Sequence, residues 1–557
     1  MVGAMARRAA WCWKLLVVSA VAAVAAAYAG AARAAGLRYG VADDWPKYHT
    51  CGDKWWQAVH DIGYTDLRIT VQWNGTNAID GGFQNAVDCA ALNNIRLVVS
   101  IYPARPNLIG SNPSAQAAFA SFVALVGTAA GPSVTNFIVG NEPNVNRFWQ
   151  PQYVNGQDAA GADYEHTLAQ SYDALKTVRP DARVWGPAIS SRGNDNANAA
   201  SNPSHSPVWF IKDLGDAYRA SGRTTPIFDE FDMHPYPPVQ DTDPFSKPFQ
   251  WPQAGAANLD RIKQALWDAF HGTGQPVPSE QAGGRTAQSA NGARFSAPQP
   301  LPISLDEVGE QTVTTGHDAA YTDQPDSITP ISEQQQAANH VQLMEMAACD
   351  PAVESLFFFP LIDETDVHNG FQSGNLFADL TPKQSYAAVK AKIASAQGAC
   401  QGGVTGVPEG WQHTVTVIGG QAFFGGGSSA TAPSRGPNQK AWGFSATATE
   451  DATYTATLVK VAGPGGGSPA TVDSATGLVK AYYTPAIKFH TATHPAGYYE
   501  FTLVLAAATN PARTATFTSN VFTIGTPTGG GAGTLVLTSA GKHHPHKRHG
   551  KRHGPRH

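Results

Sequence analysis

The sequence predicts an α/β fold: a (β/α)8 barrel followed by a small all-β, immunoglobulin-like sandwich. Three observations carry that expectation. From residue 37 to about 397, short apolar runs alternate with stretches of helical period, and that length is about one barrel's worth of chain. Two of the apolar runs end in a carboxylate beside a Gly or Pro stop: Phe-Ile-Val-Gly-Asn-Glu-Pro-Asn at 137–144 and Pro-Ile-Ser-Leu-Asp-Glu-Val-Gly at 302–309. Past residue 411 the helical period disappears and Thr/Val alternation replaces it. With 557 residues the chain is too long for one core, so two folded units plus tails are expected.

The first 36 residues read as a signal peptide. Arg7 and Arg8 make a positive start, Leu15 to Tyr28 an apolar stretch, and Ala32-Arg33-Ala34 a small-x-small cleavage site. The alternative, an uncleaved anchor, fits less well because the Ala-rich core is short and weakly apolar for a span. No other stretch is apolar enough to cross a bilayer, so the mature chain is expected to be secreted, extracellular or associated with the cell envelope. Cleavage removes Cys12 and leaves Cys51, Cys89, Cys349 and Cys400, an even number that suits an oxidising compartment. Three pairings are open. The local ones, Cys51–Cys89 and Cys349–Cys400, would each tie neighbouring parts of a barrel. No Cys-x-x-Cys spacing argues for a zinc cluster. A composition of 42% hydrophobic and 15% charged residues suits a globular exported protein, and a formal charge of −5 is not that of a nucleic-acid binder.

Taken in order, the barrel elements are a strand at 37–41, a helix at 54–62 with Trp55, Trp56, Val59 and Ile62 on one face, and a strand at 67–73. In that second strand Arg68 alternates with Ile69 and Val71. It therefore points inward and requires a carboxylate partner. Trp73 stands at the strand's mouth. A helix at 85–92, a strand at 95–102 and an Ala-rich helix at 115–130 follow. The fourth strand carries Asn141 and Glu142 at its C-terminal end, where the active site of a parallel barrel lies. The loop after it holds Trp149, whose face suits the C–H face of a sugar ring. Next come a helix at 162–178, a strand at 182–189, an Asn/Ser-rich loop at 190–206, a helix at 208–221 and a strand at 228–236. In this sixth strand Asp232, His234 and Tyr236 share a face. A helix at 257–270 precedes a Gly-rich insert at 272–300, expected to lie away from the cleft. Strand seven ends at Glu307, and the loop after it, 310–330, is expected to face the cleft and to offer Tyr321 as a substrate contact. A helix at 332–348, a strand at 355–362 rich in Phe, and a last helix at 382–389 close the ring. Period two places Asp306 on the opposite face of its strand from Glu307.

The two strand-end motifs resemble those of the clan A glycoside hydrolases, which are (β/α)8, or TIM, barrels. The resemblance covers residues 37 to 397 and identifies no family within the clan. It implies that Glu142 is the acid/base and Glu307 the nucleophile. It further implies that Arg68 contacts the nucleophile and that His234 or Tyr236 hydrogen-bonds the nucleophile or the sugar. Asn141 would hold a sugar hydroxyl, with Trp149 and Trp73 as further substrate contacts. The chain departs from the clan's pattern in two places. Tyr102-Pro103-Ala104 stands where many members have His, and Phe357-Phe358-Phe359 where they place a Trp. The implied chemistry is hydrolysis of β-O-glycosidic bonds in a polysaccharide or oligosaccharide, with retention by double displacement and carboxyl groups about 5–5.5 Å apart. It requires no metal or organic cofactor.

Residues 402–410 read as a linker, 411–525 as the sandwich and 526–533 as a second, Gly-rich linker. No row of Trp marks the sandwich as a sugar binder, so a spacer role is expected. The tail at 542–557 mixes Lys, Arg, His, Gly and Pro and cannot build a core. Its charge suits an anionic cell envelope as partner. The alternative function for the whole chain is a catalytically inactive, polysaccharide-binding surface protein.

Overall fold

The structure is a computed structural model. It describes residues 37–238, 249–278, 300–325 and 328–402, and most of 417–539 in segments. The signal segment, residues 279–299 of the insert, the linker at 403–410 and the tail lie outside the described residues. The chain divides into two compact units, 1–411 and 412–557.

The first unit is a closed barrel of eight parallel strands: β1 (Arg38–Ala42), β2 (Asp66–Trp73), β3 (Arg96–Pro103), β4 (Asn136–Val139), β5 (Arg183–Ser190), β6 (Glu230–His234), β7 (Ile303–Val308) and β8 (Val353–Phe358). They pair in sequence order, with β8 closing on β1. Eight helices follow them in turn: α1 (Lys54–Ile62), α2 (Phe83–Leu92), α3 (Pro113–Ala129), α4 (Ala160–Val178), α5 (Pro207–Ser221), α6 (Leu259–Phe270), α7 (Glu333–Cys349) and α8 (Gln384–Ala396). Their ends follow local chemistry. The Asp53 carboxylate accepts from the Trp55 and Trp56 amides to start α1, and Gly63, at φ 96°, stops it. Asn112 and Pro113 start α3 in the same way. The disulfides join Cys51 to Cys89 and Cys349 to Cys400, the local pairs expected.

Two packing layers hold the barrel. Between strands and helices runs one large apolar cluster that includes Trp55, Trp56, Ile69, Val71, Phe137 and Leu305. Inside the ring sits a smaller one: Val98, Ile138, Trp185, Ala188 and Phe357. Gly40 makes room for it, since a Cβ there would lie 2.6 Å from the Phe357 ring. Below that plug, at the strand starts, buried Asp66 pairs with Arg38 and Arg96, and buried Glu230 pairs with Arg183. The plug and the ion layer occupy the lower barrel, which leaves the strand C-termini as the end that carries its loops. Some boundaries differ from expectation. β4 is only four residues long and β6 stops at His234, before Pro235, whereas α8 runs to Ala396.

The second unit is all-β in its described residues. A six-stranded antiparallel sheet is built around Gly497–Ala507, which pairs with Ala452–Val461 on one side and Thr514–Ser519 on the other. Burial alternates along the central strand. Tyr499, Phe501, Leu503 and Leu505 pack on Ala456 and Leu458. A three-stranded sheet joins Val417–Gln421, Gly443–Ala448 and Ala486–Lys488. Among the described residues no helix is long and apolar enough to cross a membrane.

Candidate active site

β4 ends at Val139 and the chain turns sharply through Gly140, at φ 106°, to Glu142, at φ 42°. Glu142 thus adopts a left-handed conformation uncommon for a residue with a side chain. Its neighbours hold it there. The Glu142 amide donates to the Ala188 carbonyl at 2.9 Å. Asn144, fully buried, donates to the Ser190 and His205 carbonyls and accepts from the Ser190 amide. The turn is therefore bolted to the loop after β5, and the Glu142 side chain stands at the mouth, 16% exposed.

Arg68, on β2, spreads its guanidinium over Glu307, Asn141, Asp306 and, at 3.4 Å, the Ser100 hydroxyl. One terminal nitrogen donates to Glu307 Oε2 at 2.8 Å and the other to Asn141 Oδ1 at 2.8 Å. Nε lies 3.1 Å from Asp306 Oδ2. The remaining Glu307 oxygen accepts from the Tyr236 hydroxyl at 3.0 Å. Burial pushes the Glu307 carboxyl up. The charges of His234 and Arg68, with the hydrogen bonds from Tyr236 and Arg68, outweigh that and hold it below the usual carboxylate range.

His234 lies between the two glutamates. Its Nδ1 is 2.8 Å from Glu142 Oε1, while Nε2 is 3.5 Å from Asp306 Oδ2 and 3.8 Å from Glu307 Oε2. Burial disfavours a charged ring, but the carboxylates of Glu307, Asp306 and Glu142 prevail and raise its pKa well above the usual value. The 2.8 Å contact pairs the ring's Nδ1 with the Glu142 carboxyl, and Nε2 faces Asp306 and Glu307. Below the ring, burial and the nearby Asp306 raise the pKa of Asp232 well above the ordinary range, and Asp232 accepts from the Ala188 amide. Arg68 and His234 thus stand among a set of carboxyls whose positions they fix.

Known structures share this barrel's shape. One is a family 39 glycoside hydrolase from Bacteroides cellulosilyticus, with 16% identity over 82% of each chain and a TM-score of 0.43. A glucosidase from Croceicoccus marinus shows 10% identity over 82% of this chain and 97% of its own, with a TM-score of 0.44. A monomeric β-xylosidase from Caulobacter crescentus shows 12% identity over 84% and 95%, with a TM-score of 0.38. No family model and no curated protein matches the chain.

Six of the eight residues singled out from sequence come together here: Glu142, Glu307, Arg68, Asn141, His234 and Tyr236. Two do not. Trp149 is 1% exposed and packs edge-on against Tyr164, and Trp73 is 3% exposed and packs edge-on against Phe119. Neither offers a face to a sugar. Trp73 has the parity of Ile69 and Val71, the outward-facing positions of β2, so it belongs to the helix–strand layer. Trp149→Ala is accordingly expected to cost about 3–5 kcal/mol of stability. The KM of the variant, measured well below its melting temperature, should stay within about twofold of wild type.

Asp306 is the residue the sequence reading misplaced. It does not face away from Glu307's partners. It is fully buried beneath them, touching Arg68 and His234. The available signal was polar periodicity: Ser304 and Asp306 on β7 and Glu230, Asp232 and His234 on β6 alternate with apolar residues, as an inward polar face does. Tyr321 also differs from expectation. Its hydroxyl donates to Asp363 at 2.7 Å and accepts from the Ala378 amide. Asp363 further takes the buried Lys383 ammonium at 2.7 Å and the Gly374 amide at 2.8 Å. Those contacts brace the loop after β8. Near the rim, Phe359 is partly exposed beside Phe371, with ring centroids 5.1 Å apart, and the Tyr102 hydroxyl accepts from Gln72.

Proposed function

We propose that the chain is an exported glycoside hydrolase that cleaves β-O-glycosidic bonds of an oligosaccharide or polysaccharide by double displacement, with net retention. The observation that carries this reading is the single imidazole of His234 reaching both Glu142 and Glu307, with Arg68 and Tyr236 hydrogen-bonded to the latter. Two carboxyls are thereby given different environments at one mouth, which is what an acid and a nucleophile require. Glu307, kept ionised, attacks the anomeric carbon. The glycosidic C–O bond breaks and the departing oxygen takes the proton of Glu142. Water then attacks the resulting glycosyl ester as Glu142 takes its proton back, and Glu307 leaves as carboxylate. Asn141 is held by Arg68 with its amide group at the same mouth, placed for a sugar hydroxyl. The positively charged start of the chain, its apolar stretch and the two disulfides support export.

The test is a panel of 2-deoxy-2-fluoro glycosides carrying good leaving groups, followed by peptide mapping of the inactivated protein. One label per chain on the peptide containing Glu307 is the expected result. Sugar binding without label or turnover across the panel would instead establish a polysaccharide-binding protein.

A further inference from the structure

Behind the Glu142 turn lies a second cluster that the proposed reaction does not use. It is made by three segments: the short hairpin of Tyr153–Val154 and Gln157–Asp158, the end of the loop at 191–206, and the first half of α5. They bring Asp158, His205 and Asp213 together, with one donor atom of each within 4.8 Å of the others. His205 is 1% exposed. Its Nε2 lies 3.1 Å from the Gln152 carbonyl, which only accepts, so Nε2 carries the proton. The opposite nitrogen, Nδ1, then presents its lone pair at 3.5 Å to the Asp158 carboxylate. Asp213 Oδ2 is buried with no hydrogen-bond donor. The nearest ammonium, Lys212 Nζ, is 3.9 Å from Asp213 Oδ1 and sits instead on Asp216 at 2.6 Å. Two carboxyls and an imidazole thus converge, and burial with the Asp158 carboxyl beside it pushes Asp213 well above the usual carboxylate range, the strain that a cation between them would relieve.

We infer that Asp158, His205 Nδ1 and Asp213 bind a divalent cation of the zinc class. One neutral imidazole with two carboxylate oxygens is a donor set suited to such an ion. A backbone carbonyl that fixes the far N–H of the ring is the usual orienting partner of a metal-bound histidine. The surroundings brace the same geometry. Tyr153 packs its ring on His205 with centroids 4.3 Å apart, Asp195 accepts from the Ser206 amide at 2.7 Å, and Gly161 of α4 approaches Asp213 so closely that a Cβ would lie 2.6 Å from its own. The role follows from connectivity. The His205 amide donates to the Asn144 carbonyl and the Asn144 amide group donates back to the His205 carbonyl, so an ion here would staple the loop after β5 to the segment after β4 that carries Glu142. The site stands independently of the proposed reaction.

The experiment compares the full chain with Asp158→Asn and Asp213→Asn. Each protein is stripped with chelator and equilibrated with zinc, and its bound metal is counted by elemental mass spectrometry beside a thermal melt. The His-rich tail is common to all three, so only differences between them report this site. Wild type is expected to bind one equivalent more zinc than either variant. Its melting temperature should rise by roughly 3–5 °C at a hundredfold excess over the dissociation constant, with a rise under about 1 °C in the variants. Asp158 is an exposed hairpin residue, so its variant folds even if the other does not. Equal stoichiometry and equal zinc response in all three proteins would overturn the inference. So would a metal-free Asp213→Asn that melts above metal-free wild type without a zinc difference, which marks a shared proton. A melting response to calcium with none to zinc overturns the assigned class.

Discussion

Replacing Glu307 with Ala is expected to lower kcat by roughly 10,000-fold to 1,000,000-fold, the range seen when an enzyme loses its nucleophile. The loss comes from the missing covalent step, because Arg68 keeps Asp306 and Asn141 as partners and the site stays assembled. The fold weakens by about 1–3 kcal/mol as Tyr236 and one guanidinium nitrogen lose their acceptor. Kinetics therefore have to be read well below the melting temperature. Azide separates the two roles. In Glu307→Ala, azide occupies the space of the carboxylate and attacks an activated glycoside directly, so the product is the α-glycosyl azide. In Glu142→Ala, an activated glycoside still forms the ester on Glu307, and azide resolves it to the β-glycosyl azide. Swapped anomers would reverse the assignment, and no glycosyl azide from either variant would remove it.

How far the sequence carries this picture depends on the kind of signal. The barrel was legible because alternation of strand and helix is a local pattern repeated eight times, with stops written in Gly, Pro, Asn and Asp. Glu142 and Glu307 were legible because each follows an apolar run and precedes a chain stop. Arg68 was legible because a cation on an inward position requires a partner. Trp149 and Trp73 misled because an aromatic near a strand mouth serves a core as readily as a cleft. What decides between the two is the packing of Tyr164 and Phe119, residues from other segments. Asp306 was misplaced because the inward face was given to Glu307 alone, whereas at this strand end both adjacent carboxylates reach Arg68. The Asp158–His205–Asp213 cluster draws on segments up to 55 positions apart and left no spacing to read.

Arg68→Met should show the second largest effect, and it should be seen in stability as well as rate. Methionine fills the volume of the stem but removes the charge. Asp306 and Glu307, adjacent in sequence and both bound to that guanidinium, are left with His234 as their remaining cationic contact. Removing one partner of a buried ion pair costs about 3–5 kcal/mol, because the other is left desolvated. The pH dependence has a definite sign. In the wild type the Glu307 carboxyl is held low, so its contribution is fully present above the unfolded carboxylate pKa and is lost as pH falls through its folded value. Without Arg68, burial is opposed mainly by His234 and the carboxyl moves up. Protonation then relieves the variant at a pH where the wild type is still ionised. The melting-temperature gap between wild type and Arg68→Met should therefore narrow as pH is lowered from 8 towards 5, while the acid limb of the variant's kcat/KM profile shifts to higher pH. Arg68→Lys, which restores charge without the same reach, should recover part of the stability and less of the rate. A gap that stays constant with pH would mean that Arg68 supports the barrel by packing alone and leaves the ionisation of Glu307 to His234 and Tyr236.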